Sequence, residues 1–312
     1  MAITPTLYKR VLRLMGNLFE ISVLAGKEKQ ATESFEAAIA EMQRIERLLT
    51  TFDPASQTNQ INSQAGIRPV RVDREVFDLI QRSIKISELT QGAFDITYGS
   101  IDKRLWNFDT TMTTLPDKET AKRSVRLINY KNVILDKEAS TVFLKEKGMR
   151  IGFGGIGKGY AADRAKQVLI NKGITSGIVN ASGDLSSWGN QQNGKPWTIG
   201  IADPDTKSPF SYVNITDMAV ATSGNYEKYV TINGQRYSHT IDPRTGFPVT
   251  GIKSVTIISP YAELSDAMAT PVTVMGTRVG LDLINQMNSI ACIIVDDNNT
   301  IHHSKNISIK TP

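Results

Sequence analysis

Four short stretches of the 312-residue chain carry residue types able to do chemistry together. The first is Gly152-Phe-Gly-Gly-Ile-Gly-Lys-Gly159, between a strand-like run and a helix-like one. Glycines let main-chain groups approach a ligand, the following helix N-terminus favours an anion, and Lys158 adds a point charge. The plain alternative is a tight turn with a solvated lysine. Two familiar patterns fit this loop only on paper. As G-x-G-x-x-G it imitates a dinucleotide fingerprint, but the window about 20 residues on, Gly173-Ile-Thr-Ser-Gly-Ile-Val179, has no acid to meet a ribose. As G-x-x-x-x-G-K-[ST] it imitates a phosphate loop, but Gly159 stands where a magnesium-binding hydroxyl is needed.

The second stretch is Ser265-Asp266-Ala-Met-Ala-Thr270. A helix turns the side chains of Asp266 and Thr270, four apart, to one side. A carboxylate, a hydroxyl and a main-chain carbonyl suit magnesium, a hard cation that keeps waters and contacts substrate phosphates. A helix-capping aspartate is the competing reading. The third stretch, Ser238-His239-Thr-Ile-Asp-Pro-Arg-Thr-Gly246, sets one of three histidines before a turn held by Asp242-Pro243 and Gly246. His239 is either a general base, a role worth roughly 10²–10⁴-fold, or a structural histidine. His302 and His303, near the C-terminal end, read as exposed. In the fourth stretch, Gly92-Ala-Phe-Asp-Ile-Thr97, Phe94 packs on a ring and Asp95 accepts its hydrogen bonds, or the pair is a buried aromatic with a capping aspartate. The polar turn Asn180-Ala-Ser-Gly-Asp-Leu185 says little by itself.

These stretches need a frame, and hydrophobic spacing outlines it. Residues 18–24 read as a strand, and Phe35, Ala38, Ile39, Met42, Ile45, Leu48 and Leu49 predict a helix over 30–49. A polar loop is expected from Asp53-Pro54 to Gly66, then a helix from Arg74 to Thr90 and a third over 117–129. Short strands are expected at 133–135 and 141–144, a helix at 160–171, and mostly strands from 177 to 258, with Asn233-Gly234 a hairpin signal. Helices follow at 262–275 and 277–287. The mixture predicts an α+β fold in a single compact domain with mixed or antiparallel sheets, residues 12–312, preceded by a tail at 1–11.

Composition excludes more than it identifies. Hydrophobic residues make up 40% and charged residues 21%, ordinary globular usage that excludes extensive disorder. Lys and Arg exceed Asp and Glu by 36 to 31, a net +5, with no block of like charges, so no nucleic-acid partner is expected. Cys292 stands alone in an apolar run and reads as a buried strand residue. No apolar stretch approaches the ~18 residues of a membrane span, and the N-terminus lacks the apolar core of a signal peptide. A cytoplasmic location is therefore expected, or a periplasmic or exported one if a leader was removed.

Taken in order, these segments resemble the ApbE family, the FAD:protein FMN transferases. The resemblance starts at Leu14-Met15-Gly16, passes Thr51-Phe52-Asp53, Asn62, Gly92–Thr97 and Trp106, and continues through Gly155–Asp163 and Asn180–Asp184. It closes with Ala221–Gly224, His239–Gly246 and Asp266–Thr270, so it covers residues 12–296 or so. It implies an ApbE-like, T-fold-like architecture and Mg²⁺-dependent transfer of FMN from FAD to a Ser or Thr hydroxyl of an acceptor flavoprotein, with AMP released. It places Mg²⁺ on Asp266, Thr270 and main chain near Gly155, with Ala269 adjacent, and makes His239 the base. Lys158 would hold a phosphate or lie beside the flavin end. Met15, Phe52, Ala93, Phe94, Asp95 and Ile241 match positions that line the FAD pocket. Three residues depart from the family pattern: Gly152 for a usual aspartate, Gly157 for alanine and Ser182 for glycine. The alternatives are a Mg²⁺-dependent FAD pyrophosphatase and a non-catalytic FAD-binding or delivery protein.

Overall fold

The structure is a computed structural model and describes residues 4–102, 114–203, 205–206, 208–224 and 229–307, so Trp106 lies outside the described residues. Strands β1 (Thr6–Leu14) and β2 (Asn17–Ala25) pair antiparallel across Met15-Gly16. Those two residues have φ of 51° and 71°, the left-handed pair that a two-residue hairpin turn requires. The tail expected at 1–11 is thus corrected: from Thr6 it is strand. Tyr8 and Leu12 pack on the core while Leu7, Lys9, Val11 and Arg13 face solvent. The basic residues at 9, 10 and 13 masked this alternation of period two.

Helix α1 (Glu28–Leu49) buries Phe35, Ala38, Met42, Ile45 and Leu49, the stripe its spacing predicts. The loop expected over 53–66 contains a helix, α2 (Gln57–Ser63). Ser56 caps it by accepting the Asn59 N–H at 3.1 Å, and Ile61 and Asn62 are buried. A seven-residue helix with one apolar residue has no periodicity to read. Strand β3 (Val70–Arg71), helix α3 (Arg74–Leu89) and a 3₁₀ turn at Ile96–Ser100 follow. Helix α4 (Lys118–Ser124) is shorter than expected, because the Ser124 carbonyl accepts the Asp102 N–H at 2.9 Å instead of continuing the helix.

Strands β4 (Val133–Asp136) and β5 (Thr141–Leu144) lead to helix α5 (Gly157–Asn171). Then come β6 (Gly177–Ala181), β7 (Asp184–Trp188), β8 (Trp197–Ala202), β9 (Pro209–Ile215) and β10 (Ala219–Gly224). A hairpin of β11 (Tyr229–Ile232) and β12 (Gln235–Ser238) turns at Asn233-Gly234, with φ of 52° and 77°. The chain closes with β13 (Ile252–Ser259), α6 (Ala262–Met275), α7 (Thr277–Ile284), β14 (Ala291–Asp296) and β15 (Ile301–His303).

Eight strands form one antiparallel sheet in the order β1-β2-β6-β7-β10-β13-β14-β15. Period-two alternation splits its residues between two cores. Val255, Ile257, Cys292 and Ile294 join the cluster under α1, α5 and α6, whereas Ile258, Ala291 and Ile293 join Trp197 and Val213 of the β8–β9 hairpin. Strand β13 is buried along its whole length because both faces are covered. The fold is α+β, and among the described residues no helix is long and apolar enough to cross a membrane.

Helices α5 and α6 approach closely, and one residue permits it. A Cβ on Gly159 would fall 2.1 Å from the Ala262 carbonyl oxygen and 2.9 Å from the Asp266 Cβ. The glycine that spoiled the phosphate-loop pattern is a helix-packing residue. Gly159→Ala should destabilise the protein by about 3 kcal/mol, since main chain must move to admit the methyl. Gly154→Ala, whose Cβ meets nothing within 4 Å, should be nearly neutral. Thermal denaturation of both variants checks the contrast.

Candidate functional site

The glycine-rich loop is held from behind before it holds anything itself. Asn62 on α2 brackets Ile151, donating to its carbonyl at 3.1 Å and accepting its N–H at 2.8 Å. The Gly152 N–H donates to the Ile96 carbonyl at 3.0 Å, tying the loop to the Gly92–Thr97 stretch. None of its glycines has positive φ, so dihedral freedom does not explain them, and close approach accounts for Gly157 and Gly159. A Cβ at Gly155 would lie 3.5 Å from the Phe94 ring and one at Gly152 4.0 Å from the Thr51 methyl, whereas Gly154 borders open space.

The first turn of α5 points its amides at an anion, and that anion is the protein's own. The Gly159 N–H donates to Asp266 Oδ2 at 3.0 Å, and the Lys158 N–H also reaches this carboxylate. Asp266 lies at the positive end of a helix macrodipole, in a buried position. Burial, and then the neighbouring charge of Asp184, push its pKa up to about 7. Lys158 does not project freely: its ammonium pairs with the buried Asp184 carboxylate. Burial works against the Lys158 ammonium, yet the charges of Asp266 and Asp184 carry its pKa above the usual lysine value. Asp184 is itself shifted upward by burial.

Thr270 follows Asp266 by one turn of α6 and is partly exposed. Thr273 spends its hydroxyl on the Ala269 carbonyl at 3.0 Å, and no such bond to a described residue ties Thr270. Ala269 is buried. Pro271 has no N–H for the Ala267 carbonyl, which loosens the backbone ladder beside the pair.

The remaining predicted residues occupy three neighbouring places. Ala93 and Phe94 are buried, and the Phe94 ring faces Gly155 of the glycine-rich loop. Asp95 gives both oxygens to the protein, accepting from the Thr97 N–H at 2.8 Å, the Thr97 hydroxyl at 2.6 Å and the Tyr130 N–H at 2.9 Å. Its carboxylate holds the shape of this loop. Ile241 packs with Ile101 and Val125, and its N–H donates to Tyr98 Oη at 3.3 Å. His239 is half-buried in the bend after β12. Its turn is rigid: the Asp242 carboxylate accepts from the Arg244 N–H and guanidinium at 2.8–2.9 Å, and Gly246, at φ 80°, presses on Ala121 of α4. Phe52 is 95% exposed, in a cleft of about 560 Å³ lined also by Gln43, Glu46, Arg47, Thr50 and Asp53. Met15 sits beside that cleft, its N–H donating to Glu46 at 2.8 Å. The structure thus gathers Lys158 with Asp266, and Phe94 with Gly155, while Phe52 and Met15 border a cleft that adjoins the loop through Thr51, whose methyl lies 4.0 Å from where a Cβ on Gly152 would sit.

Two residues escaped sequence reasoning. Asp184 opens β7 after the turn at Ser182-Gly183, where Ser182 takes a φ of 57° that glycine adopts more easily. The signal was an acid after a strand end and a lysine in need of a counter-charge. Asp163 on α5 caps α6 from outside, accepting from the Ala262 N–H at 3.1 Å and the Glu263 N–H at 2.9 Å. Nothing in its spacing shows that distant partner.

Comparison with known proteins agrees over nearly the whole chain. A model of the ApbE family matches residues 15–294. The FAD:protein FMN transferase of Klebsiella pneumoniae (strain 342) is 32% identical over 291 residues, covering 92% of this chain and 89% of that protein. The crystal structure of the ApbE protein from Thermotoga maritima superposes with a TM-score of 0.86 at 33% identity, covering 96% of this chain and 97% of the other. The apo flavinyl transferase ApbE of Pseudomonas stutzeri gives 0.84 at 25% identity, with 96% and 95% covered.

Lys158→Met should destabilise the metal-free protein by about 3 kcal/mol near pH 8, where two buried carboxylates lose their counter-charge. Both aspartates have native pKa values above the ~3.9 of an unfolded aspartate. The native state therefore keeps protons that the unfolded state has released, and stability falls as pH rises from about 4 toward 7. The penalty of the substitution should shrink toward acid pH. Urea denaturation of parent and variant at about pH 5 and 8 reads this; an equal gap at both would remove Lys158 as the counter-ion.

Proposed function

The chain belongs to the ApbE family, and on that basis we propose that it transfers FMN from FAD to a Ser or Thr hydroxyl of an acceptor flavoprotein, releasing AMP. The observation that carries the reading is Asp266, a buried carboxylate at the N-terminus of α5 with Thr270 one turn on and Lys158 beside it. Asp266 and Asp184 bring two negative charges into a desolvated place, and Lys158 offsets one of them. A divalent cation relieves such a cluster.

The donors fit Mg²⁺. Asp266, Thr270 and main-chain oxygen near Gly155, with Ala269 adjacent, would hold it through hard oxygen atoms. When bound, the cation neutralises charge on the diphosphate and on the departing AMP.

The chain's own residues supply the rest. Lys158, kept protonated by the two aspartates, holds positive charge at the diphosphate end. Phe94 and Ala93 wall the flavin side behind Gly155, and Phe52 offers an exposed ring for stacking. Met15 borders that ring's cleft, and Asp95 and Ile241 fix the segments between the cleft and the histidine turn. His239 takes the proton of the acceptor hydroxyl as that oxygen bonds the FMN phosphorus and the phosphorus–oxygen bond to AMP breaks. The rigid Asp242–Gly246 turn keeps the imidazole in place.

The expected result is a covalent mass gain of FMN on an acceptor domain that requires both FAD and Mg²⁺. Asp266→Ala should abolish that gain, and an unchanged gain would remove the metal assignment. His239→Ala should slow transfer roughly 10²–10⁴-fold while FAD binding, read by flavin fluorescence, stays the same. Equal loss of binding and transfer would make His239 structural. Rapid release of AMP and free FMN without any acceptor would identify hydrolysis instead.

A further inference from the structure

Most cations near the core of this protein already have a carboxylate. Arg44 pairs with Glu41 and Glu75, Arg82 with Glu263, Lys158 with Asp184 and Lys253 with Asp205. Exposed cations without such a partner occur at several places, and the segment 118–131, formed by α4 and the turn after it, gathers five of them. Lys118, Lys122, Arg123, Arg126 and Lys131 are all exposed, and none makes an ion pair with a described residue. Lys122 donates to the Arg244 carbonyl at 2.6 Å, Arg123 donates to the Thr120 hydroxyl at 2.9 Å, and Lys131 lies 6.0 Å from the Tyr130 ring. None of these contacts is with a carboxylate of a described residue. Of the nearby acids, Asp117 caps α4, Asp242 takes the Arg244 guanidinium, Asp102 is bonded through its N–H to the Ser124 carbonyl, and Glu119 is the one acid within the segment.

The same segment abuts the candidate site on two sides. Gly246 of the histidine turn packs so tightly on α4 that a Cβ there would fall 2.0 Å from the Ala121 oxygen. Asn129 donates its N–H to the Thr97 hydroxyl at 2.8 Å, next to the Tyr130–Asp95 bond. A basic surface therefore flanks the His239 turn, on the outside of a short helix rather than in a cleft. A dinucleotide with two phosphates cannot meet five cations spread along such a surface, whereas a folded partner can.

We infer that the 118–131 surface receives an acidic face of the protein that brings the accepting hydroxyl to His239; this rests on the transfer reading above. Exposed charges of this kind steer encounter and set orientation more than they add affinity, and salt weakens them.

The test takes the full chain and two dye-labelled peptides of equal length with a central threonine, one flanked by glutamates and one by lysines. Fluorescence anisotropy should show the glutamate peptide binding about tenfold tighter, with the advantage shrinking as salt rises. In the combined variant Lys118→Glu, Arg123→Glu, Arg126→Glu the preference should reverse, with FAD binding unchanged. Equal affinity for both peptides, or a preference that survives the variant, would overturn the inference. So would tighter binding of a single-stranded oligonucleotide of matched charge. FAD-dependent FMN mass gain on the glutamate peptide is read separately. A charge preference together with no FMN mass gain on any acceptor domain sinks the transfer reading, and mass gain without preference sinks the docking surface.

Discussion

A buried carboxylate is tolerated only when something meets its charge, and in this fold two helices converge to meet that of Asp266. The first-turn amides of α5 reach it because Gly159 lets α6 come within packing distance. Lys158 approaches from the same turn and is itself held by Asp184 at the start of β7. Remove Lys158 and two desolvated carboxylates are left without their cation, which costs far more than an exposed pair is worth. The geometry of the candidate site is therefore a consequence of charge compensation inside the fold.

The rest of the packing keeps α5 and α6 in that relation. Asp163 reaches from α5 to cap α6 and also accepts the Ser186 hydroxyl of β7 at 2.8 Å, so one side chain joins two helices and the sheet. Farther out, Arg44 of α1 holds Glu75 of α3 through two bonds at 2.6 and 2.9 Å, and Glu75 accepts the Tyr160 hydroxyl of α5. Arg82 of α3 grips Glu263 of α6 at 2.5 and 2.9 Å. Bidentate guanidinium–carboxylate pairs add direction as well as energy, so they fix helix rotation where apolar packing alone would permit slippage.

The histidine turn is positioned by a second chain of contacts. Asp95 binds Thr97 and Tyr130, Tyr98 accepts from Ile241, and Gly246 seats against α4. The segment 92–98 thus bridges the glycine-rich loop on one side and the His239 turn on the other. The site is assembled from a helix pair, a 3₁₀ turn and a clamped loop, and the large antiparallel sheet serves as their common floor.

Much of this was legible without coordinates. The stripe of α1, the hairpin at Asn233-Gly234, the buried strand at Cys292 and the one-turn spacing of Asp266 and Thr270 all follow from local periodicity, which depends on neighbours in sequence. What failed locally was α2, whose single apolar residue carries no period, and β1, whose basic residues hid one. The tertiary structure alone decided where charges meet. It turned the α5 amides from a supposed phosphate cradle toward Asp266, gave Lys158 the partner Asp184, spent Asp95 on its own loop and made Gly159 a packing contact. Electrostatic compensation acts through space between residues 26 to 107 positions apart, and no spacing rule along a chain records a distance of that kind.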